Sequence, residues 1–365
     1  MKLYPNLILD ILRTVRYPGN GKNLVENDMI ADDIRIDGNK VEFSIVFDKS
    51  TDPFAKSVIR SAEAALQREL GPELEIEGNI RAAFRQEAAP TPEKPLKGVR
   101  HIIGVTSGKG GVGKSTVAAN LAIALAARGL RVGLLDADIF GPSMPKMFGV
   151  EDERLYMVNQ DGKDWIEPIE KYGVKMLSIG FVVDKDAPVL WRGGMASNAL
   201  KQLISDAWWG DLDYFVIDMP PGTSDIHLTL VQTLDISGVV VVSTPQEVAL
   251  ADARKGINMF RNDKINVPVL GIVENMAWFT PAPHPDEKYY LFGNGGAARM
   301  AEEMNVPLLA QIPLVADICE KADAGTPTTL SLVAPSLTGV AQESASPEAQ
   351  AFAALAGRVE EALAD

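Results

Sequence analysis

The chain has 365 residues, of which 46% are hydrophobic and 23% charged, and its formal net charge is −14. This length accommodates two domains, while the acidic balance argues against a general affinity for nucleic acid or for anionic membranes. No apolar run reaches the ~18 residues of a membrane-spanning helix, and the first residues show no signal-peptide pattern. The single cysteine excludes an intrachain disulfide. A cytoplasmic location is therefore predicted.

Residues 1–84 are predicted to form a small α+β domain. Apolar residues at helical spacing mark helices over 6–15 and 53–69, and strict alternation marks a half-buried strand over 41–47. Residues 85–97 are rich in proline, alanine and charge, which is typical of a linker. A second domain is therefore expected to follow.

A phosphate-binding loop is predicted at the start of this second domain. The segment GVTSGKGGVGKST contains G-x-x-x-x-G-K-[ST] and lies between a short apolar strand and an alanine-rich helix, which is the context that this motif requires. Backbone N–H groups would surround the phosphates, Lys114 would neutralise the β- and γ-phosphates, and the Ser115 hydroxyl would reach Mg²⁺. The predicted nucleotide-binding residues of the loop are Gly108, Lys109, Gly110, Gly111, Val112, Gly113, Lys114, Ser115 and Thr116.

A second lysine, Lys109, lies inside this loop, directly after Gly108. A loop that binds phosphate through backbone N–H groups does not need it. We interpret Lys109 as a catalytic cation that reaches the nucleotide of a facing second copy of the chain, as an arginine finger does, which predicts a homodimer. The alternative is a solvated surface lysine.

Beyond the loop, short apolar strands alternate with helical segments. This alternation predicts an α/β fold, a P-loop NTPase domain over 98–333 with a mostly parallel sheet flanked by helices and nucleotide at the carboxyl ends of the strands. A tail over 334–365 is predicted to end in a helix over 347–364 that is too acidic for membrane binding. The predicted strands are 102–105, 132–135, 214–218, 239–243 and 269–273.

Aspartates follow two of these strands. Asp136 and Asp138 follow the second predicted strand, and Asp218 ends the third. Asp218 fits the Walker B position, which holds Mg²⁺ through a water, and Asp136 is expected to organise its loop and the magnesium-bound waters. Gly222 could offer its backbone N–H to the γ-phosphate. The alternative for Asp136 and Asp138 is a turn with two solvated carboxylates.

These features resemble the deviant Walker A ATPases, which include MinD, ParA, the nitrogenase iron protein and the Mrp/ApbC group. The phrases DADIFGPS, DMPPGTSD and VENM, in that order, and the phrase WRGGM are similar to the Mrp/ApbC proteins. The resemblance covers about residues 98–330. Residues 1–84 resemble the small domain that often precedes such ATPases and also occurs alone in iron–sulfur assembly factors.

The resemblance implies an ATPase that uses ATP and Mg²⁺ and transfers iron–sulfur clusters to apoproteins. It implies that Asp138 positions or activates the attacking water, that Asn275 contacts adenine, and that residues 312–314 close the far side of the base. Considered alone, Asn275 is equally well explained by a role in a turn. The implied partners are a second copy of the chain and iron–sulfur assembly factors or apoprotein clients, without nucleic acid or membrane.

The sequence departs from the family at the cluster ligands. Family carriers usually show C-x-x-C shortly after the ENM phrase, so that two subunits hold a bridging [4Fe–4S] cluster. Here Pro281 and His284 occupy the approximate positions, and proline cannot ligate iron. The remaining candidate ligands are His284, expected to be exposed, and Cys319, expected to be a partly buried helical residue. In the small domain, Asp52 stands where relatives often carry a cysteine.

Two functions from different classes therefore remain open. The first is a cluster carrier with unconventional ligands, and the second is an ATP-gated adaptor that docks assembly factors or clients through the small domain and carries no cluster. The metal content of the purified protein distinguishes them. A partitioning ATPase on DNA or membrane is a third candidate, which the acidic balance opposes.

Overall fold

The computed structural model describes residues 3–31, 33–49, 51–84, 95–139, 141–160, 162–182, 193–281, 283–284, 286–334 and 345–364. The chain divides into two compact units, residues 1–93 and 94–365. Most of the predicted linker, 85–94, and the start of the WRGGM phrase, 191–192, lie outside the described residues.

The first unit packs two helices against a three-stranded sheet. Its elements are α1 (Pro5–Leu12), β1 (Arg35–Asp37), β2 (Lys40–Phe47), α2 (Ala55–Leu70) and β3 (Ile80–Phe84). β2 is central, antiparallel to β1 and parallel to β3. Side chains alternate between the faces of a strand, so one set of β2 residues enters the core. The buried residues of this set are Val41, Phe43, Ile45 and Phe47.

The second unit is built around an eight-stranded sheet. Its strands are β4 (Val99–Ser107), β5 (Val132–Asp136), β8 (Ile169–Lys171), β9 (Val174–Ser178), β10 (Leu212–Asp218), β11 (Gly238–Ser243), β12 (Val269–Glu274) and β13 (Leu308–Gln311). Their order is β13-β12-β11-β4-β10-β5-β9-β8, and β8 alone runs antiparallel to its neighbour. A separate hairpin pairs β6 (Tyr156–Gln160) with β7 (Lys163–Glu167). The predicted mostly parallel sheet is confirmed, and it contains all five predicted strands.

Helices cover this sheet on both faces, where they form three hydrophobic clusters. They are α3 (Lys114–Ala127), α4 (Met144–Met147), α5 (Gly193–Ser205), α6 (Asp225–Thr233), α7 (Glu247–Phe260), α8 (Gly296–Met304), α9 (Ala316–Asp323) and α10 (Pro347–Leu363). α3 and α10 share one cluster, α5 and α6 share the second, and α7 and α8 share the third. α3 is apolar on nearly all sides because it lies between the sheet and α10.

The C-terminal helix α10 is an integral part of the second unit. Arg358, its one basic residue, donates from Nη1 to the carbonyl oxygens of Leu308 at 3.1 Å and Leu309 at 2.6 Å in β13. Within the described residues, no helix is long and apolar enough to cross a membrane. The α10 residues that lack exposed surface are Ala349, Phe352, Leu355, Ala356 and Val359.

The sheet register brings the predicted site segments to one edge. Asp218, at the end of β10, is paired with Asp136 of β5 on one side and with Val105 of β4 on the other. The glycine loop follows β4, and α3 begins at Lys114. Because these strands are adjacent and parallel, the glycine loop and both aspartates meet at the carboxyl edge of the sheet.

Candidate functional site

The glycine loop between β4 and α3 is shaped by close contacts with distant segments. Gly113 has a φ of 81°, and a Cβ there would lie 2.2 Å from Asn275 Nδ2. A Cβ at Gly108 would lie 2.2 Å from the carbonyl carbon of Asp252 in α7. No backbone N–H group of residues 109–113 donates to a described protein acceptor. The loop therefore presents unpaired donors beside the N-terminus of α3, which suits a phosphate group.

Substitution of Gly113 tests this geometry. We expect Gly113→Ala to destabilise the second unit by about 1–3 kcal/mol, because alanine would be held at a positive φ against the Asn275 side chain. Urea unfolding of the nucleotide-free protein measures the change. Gly110→Ala is the matched control, since Gly110 has no positive φ and no heavy atom within 4 Å of an added Cβ. Equal destabilisation in both variants would contradict the steric argument.

Lys114, the first residue of α3, lies among carboxylates. Its Nζ is 2.6 Å from Asp218 Oδ1 and 3.5 Å from Asp138 Oδ2, and its side chain is 6% exposed. Nζ also lies 3.3 Å from Ser115 Oγ. Two carboxylates therefore lie within 3.5 Å of one ammonium, and Asp136 is the neighbour of Asp218 in the sheet. The excess negative charge of this cluster suits a divalent cation.

Asp218 keeps one oxygen unsatisfied. The side chain is fully buried, yet Oδ2 has no hydrogen-bond partner among the described residues. Burial raises the pKa of Asp218, against the opposing effects of Lys114 and Ser115. Since a buried oxygen without a donor is costly, Asp218 fits a magnesium ion or a magnesium-bound water. The described residues include no group of three or more His, Cys, Asp or Glu side chains placed for a metal.

Asp136 anchors the loop that carries Asp138. Its Oδ2 accepts from two backbone N–H groups at the start of α4, both at 3.1 Å, and from Ser178 Oγ at 2.9 Å. Its Oδ1 accepts from Asp138 N at 3.2 Å. Burial and then the charge of Asp218 raise the pKa of Asp136 to about 7. These bonds organise the loop, and contact of Asp136 with magnesium-bound water stays a prediction.

Asn275 follows β12 and is buried against the glycine loop. Its Nδ2 donates to the carbonyl oxygen of Val112 at 2.8 Å. The contact joins residues 163 positions apart in the chain, so no local pattern could indicate it. Ile312, in the segment predicted to flank the base, exchanges backbone hydrogen bonds of 2.9 Å with Glu274 and Ala277 on either side of Asn275. The contact of Asn275 with adenine stays a prediction.

Glu274 is a functional candidate that sequence analysis missed. It is fully buried at the end of β12, where Oε1 accepts from Ala297 N at 2.8 Å and Oε2 from Gln311 Nε2 at 2.5 Å. These bonds tie β12 to α8 and β13 and so hold the turn that carries Asn275. The available signal was a carboxylate that ends an otherwise apolar strand.

Lys109 and Gly222, the two further groups predicted to contact phosphate, differ in their surroundings. Lys109 is exposed, and its ammonium makes no salt bridge to a described residue. Gly222 has a φ of 77°, and its N–H donates to the Ser107 carbonyl oxygen at 2.8 Å. The Gly222 N–H must therefore leave Ser107 before it can bind a phosphate.

The candidate iron ligands lie on the surface. Cys319 is exposed, with Sγ 3.9 Å from Asp323 Oδ2. The prediction that Cys319 is partly buried was wrong, because the short helix α9 buries none of its residues. His284 is exposed, with Nδ1 3.5 Å from Glu287 Oε1, and its N–H donates to the Pro281 carbonyl at 2.9 Å. This hydrogen bond links Pro281 and His284, the two positions at which the resemblance leads us to expect cysteines.

In the first unit, the Asp52 carboxylate accepts hydrogen bonds from two nearby protein groups. Tyr17 Oη donates to Asp52 Oδ2 at 2.5 Å, and Phe54 N donates to Oδ1 at 2.8 Å. The hydrogen bond to Asp52, followed by burial, raises the pKa of Tyr17 to about 12. Asp52 thus shapes the start of α2.

His227 of α6 is a second residue that sequence analysis missed. It is 1% exposed, and Nδ1 accepts from Ser224 N at 3.1 Å. Its ring meets Phe260 nearly edge-on, with centroids 6.2 Å apart. Burial lowers the pKa of His227 to about 4, and the Lys114 charge adds to the shift. His227 is therefore a neutral side chain at pH 7.

We expect the buried His227 to make the second unit less stable in acid. Unfolding restores the ordinary pKa of about 6.5, so the unfolded chain binds an extra proton between about pH 6.5 and 4 and stability falls over this range. Urea unfolding of wild type and His227→Gln should show the wild-type advantage shrinking by about 2–3 kcal/mol between about pH 7.5 and 4.5. Asp136, whose raised pKa acts in the opposite direction, is common to both proteins. A difference independent of pH would contradict the burial argument.

Two protein-family models match this chain, one in each of its two units. Residues 98–357 match the model of a family described as NUBPL iron-transfer P-loop NTPase, and residues 6–77 match that of an iron–sulfur cluster assembly protein family. A protein of Synechocystis sp. named iron–sulfur cluster carrier protein is 42% identical over 345 residues, which cover 93% of this chain and 97% of the relative. An Aquifex aeolicus protein of the same name is 51% identical over 239 residues, which cover 65% of this chain and 64% of the relative.

One solved structure is similar to this chain in fold as well as in sequence. It is a nucleotide-binding protein from Archaeoglobus fulgidus in complex with ADP, with 38% sequence identity and a TM-score of 0.56. The match covers 63% of this chain and 88% of that protein. Its similarity agrees with the P-loop NTPase fold observed in the second unit.

Proposed function

Since this chain belongs to the family of NUBPL iron-transfer P-loop NTPases, we propose that it binds and hydrolyses ATP and couples hydrolysis to the assembly or delivery of iron–sulfur clusters. The name shared by the Synechocystis and Aquifex relatives supports the cluster role. The observation that carries the ATPase role is the group around Lys114, where unpaired loop N–H groups and one ammonium lie beside Asp138 and Asp218. Such a group can bind a phosphate chain and orient a water.

In this proposal the residues of the second unit divide the work of hydrolysis. The loop N–H groups and Lys114 bind the β- and γ-phosphates, and Lys114 shifts its contact from Asp218 to the phosphates. Ser115, with Asp218 through a water, would hold Mg²⁺, which neutralises phosphate charge when bound. Asp138, whose backbone N–H is fixed by Asp136, orients the attacking water and accepts its proton.

We also propose an ATP-gated homodimer as the working form. Lys109 is an exposed residue of the glycine loop and has no described salt-bridge partner, which leaves it available to a nucleotide in the facing copy. The first unit, which matches an iron–sulfur assembly family over residues 6–77, docks assembly factors or apoprotein clients. DNA and membranes are not expected partners, because the net charge is −14.

An adaptor without a cluster is the second candidate, and the ligand set favours it. Cys319 is the one cysteine of the chain, so a homodimer supplies two thiolates where a [4Fe–4S] cluster usually has four. A carrier would need further ligands, such as His284 or thiols of a partner. An adaptor would use the nucleotide-driven change in shape alone.

Anaerobic reconstitution separates the two candidates. The full chain is incubated with ferrous iron and sulfide, and iron and acid-labile sulfide are counted per dimer beside the rate of ATP hydrolysis. A near-stoichiometric cluster that Cys319→Ser removes and His284→Ala retains would support a carrier with Cys319 as ligand. No cluster with intact hydrolysis would support the adaptor. Absence of hydrolysis by the wild-type protein would contradict the ATPase proposal itself.

A further inference from the structure

The glycine loop is held to a distant segment of the second unit by one side chain. Among the described residues, Asn275 makes the one side-chain hydrogen bond that reaches residues 108–113 from another part of the fold, from Nδ2 to the Val112 carbonyl oxygen at 2.8 Å. The other described side chain that bonds to the loop is Ser107, which directly precedes it and donates to the Lys109 carbonyl at 3.0 Å. No role in the function above depends on the bond from Asn275.

The turn that carries Asn275 is itself bound on several sides. Asn275 N donates to the carbonyl oxygen of Ser243, at the end of β11, at 2.8 Å. On either side of Asn275, Glu274 and Ala277 exchange backbone hydrogen bonds of 2.9 Å with Ile312. The Asn275 side chain is 7% exposed, so its amide group has little room to turn toward solvent. The fold thus supplies a fixed donor beside the glycine loop.

The bond to Val112 also fixes the direction of a neighbouring donor. The Val112 carbonyl and the Gly113 N–H belong to one planar trans peptide and point in opposite directions. Because the carbonyl is directed at Asn275, the Gly113 N–H is directed away from Asn275, and it donates to no described acceptor. Gly113 is the N-cap residue of α3, so this N–H belongs to the group of donors that suits a phosphate.

The backbone by itself does not favour this orientation of the peptide. Glycine populates positive and negative φ about equally, so the peptide between Val112 and Gly113 can rotate without strain at a Cβ atom. A reversed peptide would present the Val112 carbonyl oxygen to the phosphates in place of an N–H donor, and the partial negative charge of that oxygen would repel them. A donor that binds the carbonyl from outside therefore favours the orientation that binds an anion.

Resting on the proposed nucleotide-binding function, we propose that Asn275 is a positioning residue for the phosphates. It holds the Val112 carbonyl outward and so keeps the Gly113 N–H directed at the phosphate site before a nucleotide arrives. This role differs from the adenine contact that the family resemblance implies, because it acts on a ligand with or without a base. The ligand class recognised through Asn275 is therefore a diphosphate group.

Two substitutions separate this role from base recognition and from packing. Asn275→Leu keeps the branched shape of the side chain but has no donor, and Asn275→Ala removes the side chain beyond Cβ. A packing role would tolerate leucine better than alanine, whereas loss of the donor affects both variants alike. Asn294→Ala is the matched control, since Asn294 is an exposed asparagine between β12 and α8.

The test is calorimetric titration of the full-length wild type and the three variants with inorganic pyrophosphate and with ADP, each in the presence of Mg²⁺. The number of binding sites reports the folded fraction separately from the affinity. We expect the affinity for pyrophosphate to fall about tenfold or more in both Asn275 variants, because one donor to a charged group is misdirected. Asn294→Ala should stay within about twofold of wild type.

The other outcomes overturn the positioning role. A lower affinity for ADP with unchanged affinity for pyrophosphate would favour the adenine contact instead. A pyrophosphate affinity that leucine retains and alanine loses would show packing, and fewer sites at unchanged affinity would show a contribution to stability alone. A wild type that binds ADP but not pyrophosphate would show that the loop is not prepared for phosphate. A wild type that binds neither ligand would overturn the proposed function as well.

Discussion

Lys114→Ala is expected to lower nucleotide affinity by about a hundredfold or more, because a charge-assisted contact with phosphate is lost. The structure adds a second consequence. Lys114 Nζ lies 2.6 Å from the fully buried Asp218, and removal of one partner from a buried ion pair costs roughly 3–5 kcal/mol. The nucleotide-free variant should therefore also unfold at lower urea concentration. Calorimetric titration with Mg-ADP and urea unfolding measure the two effects separately.

Lys109→Ala is the matched control for this substitution. It removes a lysine from the same loop, but one that is exposed and without a described salt-bridge partner. We expect its stability and its nucleotide affinity to stay near wild type, while turnover falls because the cation acts in the facing subunit. Normal turnover in Lys109→Ala would contradict the cross-subunit role. Unchanged nucleotide affinity in Lys114→Ala would contradict the placement of the phosphates.

Asp138→Asn is expected to retain nucleotide binding and to lower kcat by about 10²–10⁴-fold, since asparagine keeps the shape of the side chain but cannot accept a proton. The carboxylate is 13% exposed and 3.5 Å from Lys114 Nζ, which leaves it open to a water at the phosphate end of the lysine. Single-turnover hydrolysis with pre-bound ATP isolates this step from binding.

Asp211→Asn is the control for a general loss of negative charge. Asp211 lies next to the opposite end of β10, where it is 79% exposed and 4.0 Å from Arg131. Its substitution should leave kcat within about twofold of wild type, as for surface changes away from the site. A retained kcat in Asp138→Asn would move the water-positioning role to another residue.

Local features of the sequence determined the chemistry of the loop and the class of the fold. The glycine loop needs residues that adopt positive φ, such as Gly113, followed by the N-terminus of a helix, and both requirements are met within a dozen residues. The parallel sheet followed from apolar strands alternating with helices, because hydrophobic periodicity is a property of contiguous residues. The fold class was confirmed because its physical cause was local.

Only the tertiary structure decided which of these residues meet. Lys114 and Asp218 are 104 positions apart. They pair because β10 lies next to β4 in the sheet, although the five strands β5 to β9 separate β4 from β10 in the chain. The contact of Asn275 with Val112 and the exposure of Cys319 likewise depend on how distant elements pack. The spacing of apolar residues along the chain predicts which face of a helix or strand is apolar. The order of the strands and the burial of each residue depend instead on the free energy of the whole packed unit.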